Sequence, residues 1–137
     1  MEVKNKKSPQ DQTVDLEKME QWLKDYFLDP LTSHYDHSQF RIDIYETDEN
    51  WIVEGSLDEY ASSEITVKME KSQLIISAQK HDYSSPSPFP KKVRAINFPF
   101  PIINHCVSAS FQHGVLEIFI SKKIENGFGK DRFITLP

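Results

Sequence analysis

The stretch VSASFQHGVLEIFIS, residues 107–121, decides how the rest of the chain is read. Two runs of alternating side chains meet at His113-Gly114. A side-chain period of two is the mark of a β-strand. Gly114 is one of only 4 glycines among 137 residues, so its place between two such runs predicts a tight turn. A two-residue hairpin of the I′ type needs positive φ at both turn positions and favours glycine at the second. Histidine is one of the few other residues enriched at positive φ. The stretch is therefore predicted to be two antiparallel strands joined by His113 and Gly114.

The second of these strands is apolar on both sides. Leu116, Ile118 and Ile120 share one face, and Val115 and Phe119 flank Glu117 on the other. A sandwich sheet packs one face on the core and leaves the other polar, so a second apolar face predicts a partner surface. Upstream, Phe40, Ile42 and Ile44 alternate with Arg41, Asp43 and Tyr45. Trp51, Val53 and Leu57 share a face, as do Ile65, Val67 and Met69. LIISA at 74–78 and VRAINF at 93–98 continue the pattern, and Pro99 and Pro101 cut it. Roughly seven short strands with no helical run between them predict an all-β, immunoglobulin-like β-sandwich. A parallel α/β sheet would need helices between its strands.

Residues 1–14 show no periodicity and read as a disordered arm. In residues 15–30, Leu16, Met19, Leu23, Tyr26 and Phe27 recur at helical spacing, with Trp22 beside them. This predicts a short N-terminal amphipathic helix that Pro30 stops, followed by a linker over 31–39. The loop over 79–92 carries Pro86, Pro88 and Pro90. After the last long strand comes a flexible C-terminal tail that ends in an apolar cluster of Phe133, Ile134 and Leu136. The expected division is an arm with its helix over 1–39, the sandwich over 40–121 and the tail over 122–137. Two fates of the tail stand open: it folds back on its own sandwich, or it docks on a neighbouring subunit.

The formal net charge of −5 argues against a nucleic-acid partner, which would require a basic face. No apolar run approaches the roughly 20 residues of a membrane span, and the start lacks the apolar stretch of a secretory signal. A single cysteine, Cys106, cannot form an internal disulfide, which fits a reducing compartment. Signals for catalysis are weak. Glycine-rich phosphate loops, Cys-x-x-Cys and His-Glu-x-x-His are all missing from the sequence. His34, Asp36 and His37 could ligate a metal, but polar linker residues are the simpler reading. His105 and Cys106 are neighbours on a strand and so point to opposite faces, a poor arrangement for proton transfer. His81-Asp82 falls in the proline loop and reads as solvated. Neither a cofactor nor an enzymatic activity is expected.

Ala109-Ser110-Phe111-Gln112-His113-Gly114-Val115-Leu116 resembles the Ala-x-x-x-Asn-Gly-Val-Leu signature of the α-crystallin domain of small heat shock proteins, with His113 in place of Asn. Asp43-Ile44-Tyr45-Glu46-Thr47-Asp48 resembles the first long strand of that domain, and Arg94-Ala95-Ile96-Asn97-Phe98-Pro99 its Arg-x-Phe-x-Leu-Pro block. Ile134-Thr135-Leu136 resembles the C-terminal Ile-x-Ile/Val motif. The resemblance covers about residues 40–137. MEQWLKDYFLDP ahead of IDIYET is also similar to the spore-coat branch of the family in bacilli. Two features depart from the pattern. Asp58-Glu59 replaces the usual Pro-Gly after Leu57, and the 79–92 loop is short and proline-containing. Prolines lack the amide donor that a strand crossing to a partner subunit would use, which argues against a strand-exchanged dimer.

The resemblance implies an ATP-independent holdase, a homo-oligomer built from dimers, with unfolding client proteins as partners and a cytoplasmic location. The alternative is a structural protein of the spore coat, with spore-coat proteins as partners. It implies that Ile134 and Leu136 form an oligomerisation tail. The groove for that tail would be lined by Ile65, Val67 and Met69 on one side and by Val107, Ala109 and Phe111 on the other. Arg94 would lie near the dimer interface. Trp22, Leu23, Tyr26 and Phe27 would serve assembly and client binding.

Overall fold

The structure is a computed structural model and describes residues 16–81, 89–124 and 129–136. In chain order the elements are α1 (Leu16–Leu28), α2 (Pro30–Ser38), β1 (Ile42–Glu46), β2 (Asn50–Ser56), β3 (Ile65–Glu70), β4 (Gln73–Ala78), β5 (Lys92–Asn97), β6 (His105–Gln112), β7 (Val115–Ile124) and β8 (Arg132–Ile134). The strands pair antiparallel in two four-stranded sheets, ordered β1-β2-β7-β6 and β5-β4-β3-β8. The sandwich expected from the alternation is present, with an eighth strand supplied by the tail. The arm over 1–14, Asp82, Pro86 and Pro88 lie outside the described residues.

Period-two patterning builds the core. Leu116, Ile118 and Ile120 of β7 pack inward beside Trp51 and Val53 of β2. They meet Val67 and Met69 of β3 and Leu74 and Ile76 of β4, and all of these are buried. Each fully buried side chain of this kind contributes about 1.5–3 kcal/mol. The turn between β6 and β7 has the predicted form: His113 has φ 52 and Gly114 φ 78. Gln112 pairs with Val115 across it, and the Leu57 amide donates to the Gly114 carbonyl at 2.8 Å.

The segment over 31–39 corrects the expectation of a linker, because most of it forms α2. Pro30 ends one helix and opens the next. The Asp29 carboxylate accepts from the Leu31 amide at 2.9 Å, and the proline holds the first helical position, where no amide donor is needed. The inward face of α2 is polar. Thr32 is buried and donates its hydroxyl to the Tyr26 carbonyl at 2.6 Å.

The chain closes its own sandwich at both open sides. The helical hairpin α1–α2 covers the side where the edge strands β1 and β5 approach each other. The tail, as β8, extends the β3 edge on the side facing β6.

Candidate assembly surfaces

The tail of the chain lies between β3 and β6, the two strands expected to wall a groove for it. β8 pairs with β3, setting Ile134 opposite Val67, Phe133 opposite Lys68 and Arg132 opposite Met69. Ile65, Val67 and Met69 are buried and form the floor. Val107, Ala109 and Phe111 are half-buried and pack against the core together with Ile134 and Leu136. Arg132 spans the groove: one guanidinium nitrogen donates to the Ile103 carbonyl at 2.9 Å and the other to the His105 carbonyl at 2.8 Å. Asp131 accepts from the Lys71 amide at 3.0 Å, and the Gly129 amide donates to Ile103 at 2.8 Å. Arg132 and Asp131 carry no signal of their own in the sequence. The hydrogen bonds just described join them to backbone atoms, and such bonds leave no pattern of paired side chains in the sequence. Phe133 stays exposed on the outer face, with the Lys68 ammonium 5.5 Å from its ring centre.

On the opposite side Arg94 lies beneath the helical hairpin of its own chain. Its side chain is only 3% exposed. One nitrogen donates to Asp36 Oδ1 and to the Phe40 carbonyl, each at 2.6 Å, and the other to the Tyr26 hydroxyl at 3.0 Å. The same Asp36 oxygen accepts from the Ile42 amide at 3.1 Å. One carboxylate therefore ties β5 to β1 across the gap between the sheets. Burial raises the pKa of Tyr26, and the Arg94 charge partly offsets this. Trp22 stacks on Phe98 with ring centres 4.8 Å apart and donates its indole NH to the Asn97 carbonyl at 2.7 Å. The Gln39 side chain accepts from the Val93 amide at 3.0 Å. Two outward groups of the β5 edge are thus capped by side chains, which blunts an edge that could otherwise pair with another strand.

The helix residues divide into two sets. Trp22, Leu23 and Tyr26 pack on the sandwich of their own chain. Phe27 is 50% exposed, and Leu28, Leu31 and Tyr35 extend the exposed apolar surface.

Among the described residues, those considered for chemistry are not assembled into a site. His37 contacts the Ser33 carbonyl, and among the described residues no group of three or more His, Cys, Asp or Glu side chains is arranged to hold a metal ion. His105 is 1% exposed, whereas Cys106 is partly exposed at a bulge in β6. His105 Nδ1 lies 2.7 Å from the Ser121 carbonyl, and its ring packs edge-on against Phe100. Burial pushes its pKa below the usual histidine value, with the Ser121 and Lys123 backbones pulling it partly back. Because the folded pKa is depressed, the unfolded chain takes up the proton first as pH falls. The His105 contribution to stability is full above the unfolded histidine pKa, near 6.5, and declines as pH drops through the folded value. The unfolding free energy from urea denaturation should fall between pH 7.5 and 5.5, by at most about 1.4 kcal/mol per pH unit for this proton. His105→Gln should flatten that slope, and an unchanged slope would remove His105 as its source.

Comparison with known proteins follows the same lines. No protein-family model matches the chain. Spore coat protein M of Bacillus subtilis (strain 168) is 26% identical over 113 residues, covering 82% of this chain and 80% of that protein. A small heat-shock protein from Xylella fastidiosa is 26% identical and aligns with 63% of this chain and 87% of its own, at a TM-score of 0.49. The structure of hsp14.1 from Sulfolobus solfatataricus P2, a Del-C4 mutant, is 24% identical. It overlays 79% of this chain and 98% of its own at a TM-score of 0.51. The fold is the α-crystallin sandwich of the small heat shock proteins. Ile134 and Leu136 lie at one seam of this sandwich and Arg94 at the other. No helix among the described residues is long and apolar enough to cross a membrane.

Proposed function

We propose that the chain is an ATP-independent holdase of the small heat shock type, which binds unfolding proteins, limits their aggregation and works as a homo-oligomer built from dimers. The observation that carries this reading is the α-crystallin sandwich with Ile134 and Leu136 seated in the groove between β3 and β6. The exposed Phe27, Leu28 and Leu31 offer apolar surface to a client. Holding requires neither a nucleotide nor a catalytic group, and it takes place in the cytoplasm. The test is light scattering of a heated model client with the purified protein at near-equal molar ratio. Suppressed scattering is expected. Unsuppressed scattering favours the second reading, a building block of the spore coat, which the similarity to spore coat protein M supports.

Oligomerisation in this proposal uses the tail. Full burial of Ile134 or Leu136 would contribute about 1.5–3 kcal/mol each, but both remain partly exposed. Ordering the tail costs about 1–2 kcal/mol per residue in backbone entropy. One seated tail is therefore weakly held and can exchange into the groove of another copy, where many such contacts in one assembly reinforce each other. The double substitution Ile134→Gly/Leu136→Gly should lower the native mass measured by light scattering. An unchanged mass would confine the tail to its own sandwich.

A further inference from the structure

The outer face of the β1-β2-β7-β6 sheet is built against its own electrostatics. Asp43 lies directly opposite Glu54, and Glu54 directly opposite Glu117. Like charges in directly opposed cross-strand positions destabilise a sheet. Arg41 pairs with Asp43 at 3.1 Å, and the Tyr45 hydroxyl donates to Glu54 at 3.0 Å. Desolvation raises the pKa of that phenol, and Glu54, Glu117 and Asp43 raise it further, so all three carboxylates act on one spot.

An apolar row runs beside them. Tyr45 faces Ile52, and Ile52 faces Phe119. Ile52 is 7% exposed yet stands apart from the core cluster, which places its burial on the outer face. Phe119 is half-buried and Tyr45 exposed. This is the face of β7 whose apolar residues called for a cover. The helical hairpin and the tail, which close the seams, leave it unpartnered.

The chain contains a segment of matching chemistry. Residues 1–10, MEVKNKKSPQ, set Lys4, Lys6 and Lys7 against the single acid Glu2, in a chain whose net charge is −5. The segment leads into α1 at Leu16. Extended chain reaches about 3.3–3.6 Å per residue, so ten residues can span about 35 Å. That exceeds the radius of gyration of a domain of this size, about 14 Å. We propose that residues 3–10 of the same chain lie along this outer face, with the lysines against Glu54 and Glu117 and Val3 against the Ile52–Phe119 row. The contact neutralises the opposed carboxylates that the sheet alone leaves in conflict. It does not depend on the holdase reading, and either can fail without the other.

The test is zero-length carbodiimide cross-linking of the full chain, which joins a lysine amine to a carboxylate only where the two are in contact, followed by peptide mass spectrometry. Links from Lys4, Lys6 or Lys7 to Asp43, Glu54 or Glu117 are expected, and they should disappear in 0.5 M NaCl. Links mainly to the acids of α1, or none at low salt, would overturn the proposal. Mixed light and heavy isotope copies should give links of a single isotope; mixed links would assign the contact to a second copy and overturn the same-chain occupant. Denaturation provides a second readout that needs no cross-link. Glu54→Gln/Glu117→Gln should raise the urea midpoint more in the Lys4→Glu/Lys6→Glu/Lys7→Glu chain than in the parent. Equal shifts in both backgrounds would also overturn the contact.

Discussion

Replacing Arg94 with alanine lowers the free energy of unfolding by about 3 kcal/mol or more, the range for removing one partner of a buried ion pair. Its guanidinium serves three acceptors on three segments: Asp36 on α2, the Phe40 carbonyl before β1 and the Tyr26 hydroxyl on α1. Removing it leaves the Phe40 carbonyl and the Asp36 carboxylate short of a donor. The Asp36 side chain is 26% exposed, so water recovers part of its loss, which keeps the expected effect at the lower end of the range. Arg94→Lys retains the charge but not the planar fork that reaches two directions at once, and should recover less than half of the difference. Arg94→Met with Asp36→Leu removes both charges together and should be milder than Arg94→Ala alone. Urea denaturation monitored by tryptophan fluorescence reads all three, since Trp22 reports the hairpin and Trp51 the core. A midpoint for Arg94→Ala within error of the parent would show that the network contributes nothing to holding the hairpin.

Gly114→Ala is the second large effect, at about 2 kcal/mol or more. The cost of a left-handed backbone for a residue with a Cβ is about 1–2 kcal/mol, and here φ is 78. The remainder is steric. A Cβ at Gly114 would stand 2.5 Å from the Asp58 Cβ and 2.6 Å from the Asp58 Cα, so the backbone itself must move. The same contact explains why Asp58 and Gly114 belong together: the loop after Leu57 lies against the β6–β7 turn and is bonded to it through the Leu57 amide. His113→Asn is the control. It keeps a residue that tolerates positive φ, and its unfolding free energy should stay within about 0.5 kcal/mol of the parent. If Gly114→Ala were equally silent, the close packing of Asp58 on the turn would be wrong.

The parts of this molecule that were legible in the sequence are those with a repeating signal. Strands from Ile42 to Ile120 alternate, and that alternation puts Ile65, Val67 and Met69 on one face, whereas their place beneath the tail was implied only by the resemblance to the α-crystallin domain. The hairpin at His113-Gly114 follows from the demand for positive φ. α2 was not legible, because the residues it turns inward are Thr32 and Asp36, which read as polar and carry no hydrophobic period. Its start signal was present in Asp29-Pro30, but a proline that ends one helix conceals the fact that it begins the next. The partners of Arg94 were also hidden, because a buried guanidinium in a strand looks like an exposed one until the helices that cover it are placed. The tail is an intermediate case. Ile134 and Leu136 announce that they will be buried, but a pattern of apolar residues does not say in which copy of the groove. The backbone bonds of Gly129, Asp131 and Arg132 are what bring them to their own sandwich.

The pairing of Ile134 with Val67 and the bridge from Arg132 to β6 also have a meaning in time. Contacts between distant parts of a chain form late, and synthesis runs from the N-terminal end, so the strands upstream are available before residues 132–136 have been made. Throughout that interval Val107, Ala109 and Phe111 line a seam that β8 does not yet cover. Until β8 is in place, a new copy lacks the strand that extends β3 and is itself an incompletely folded chain, of the kind its finished copies are proposed to hold.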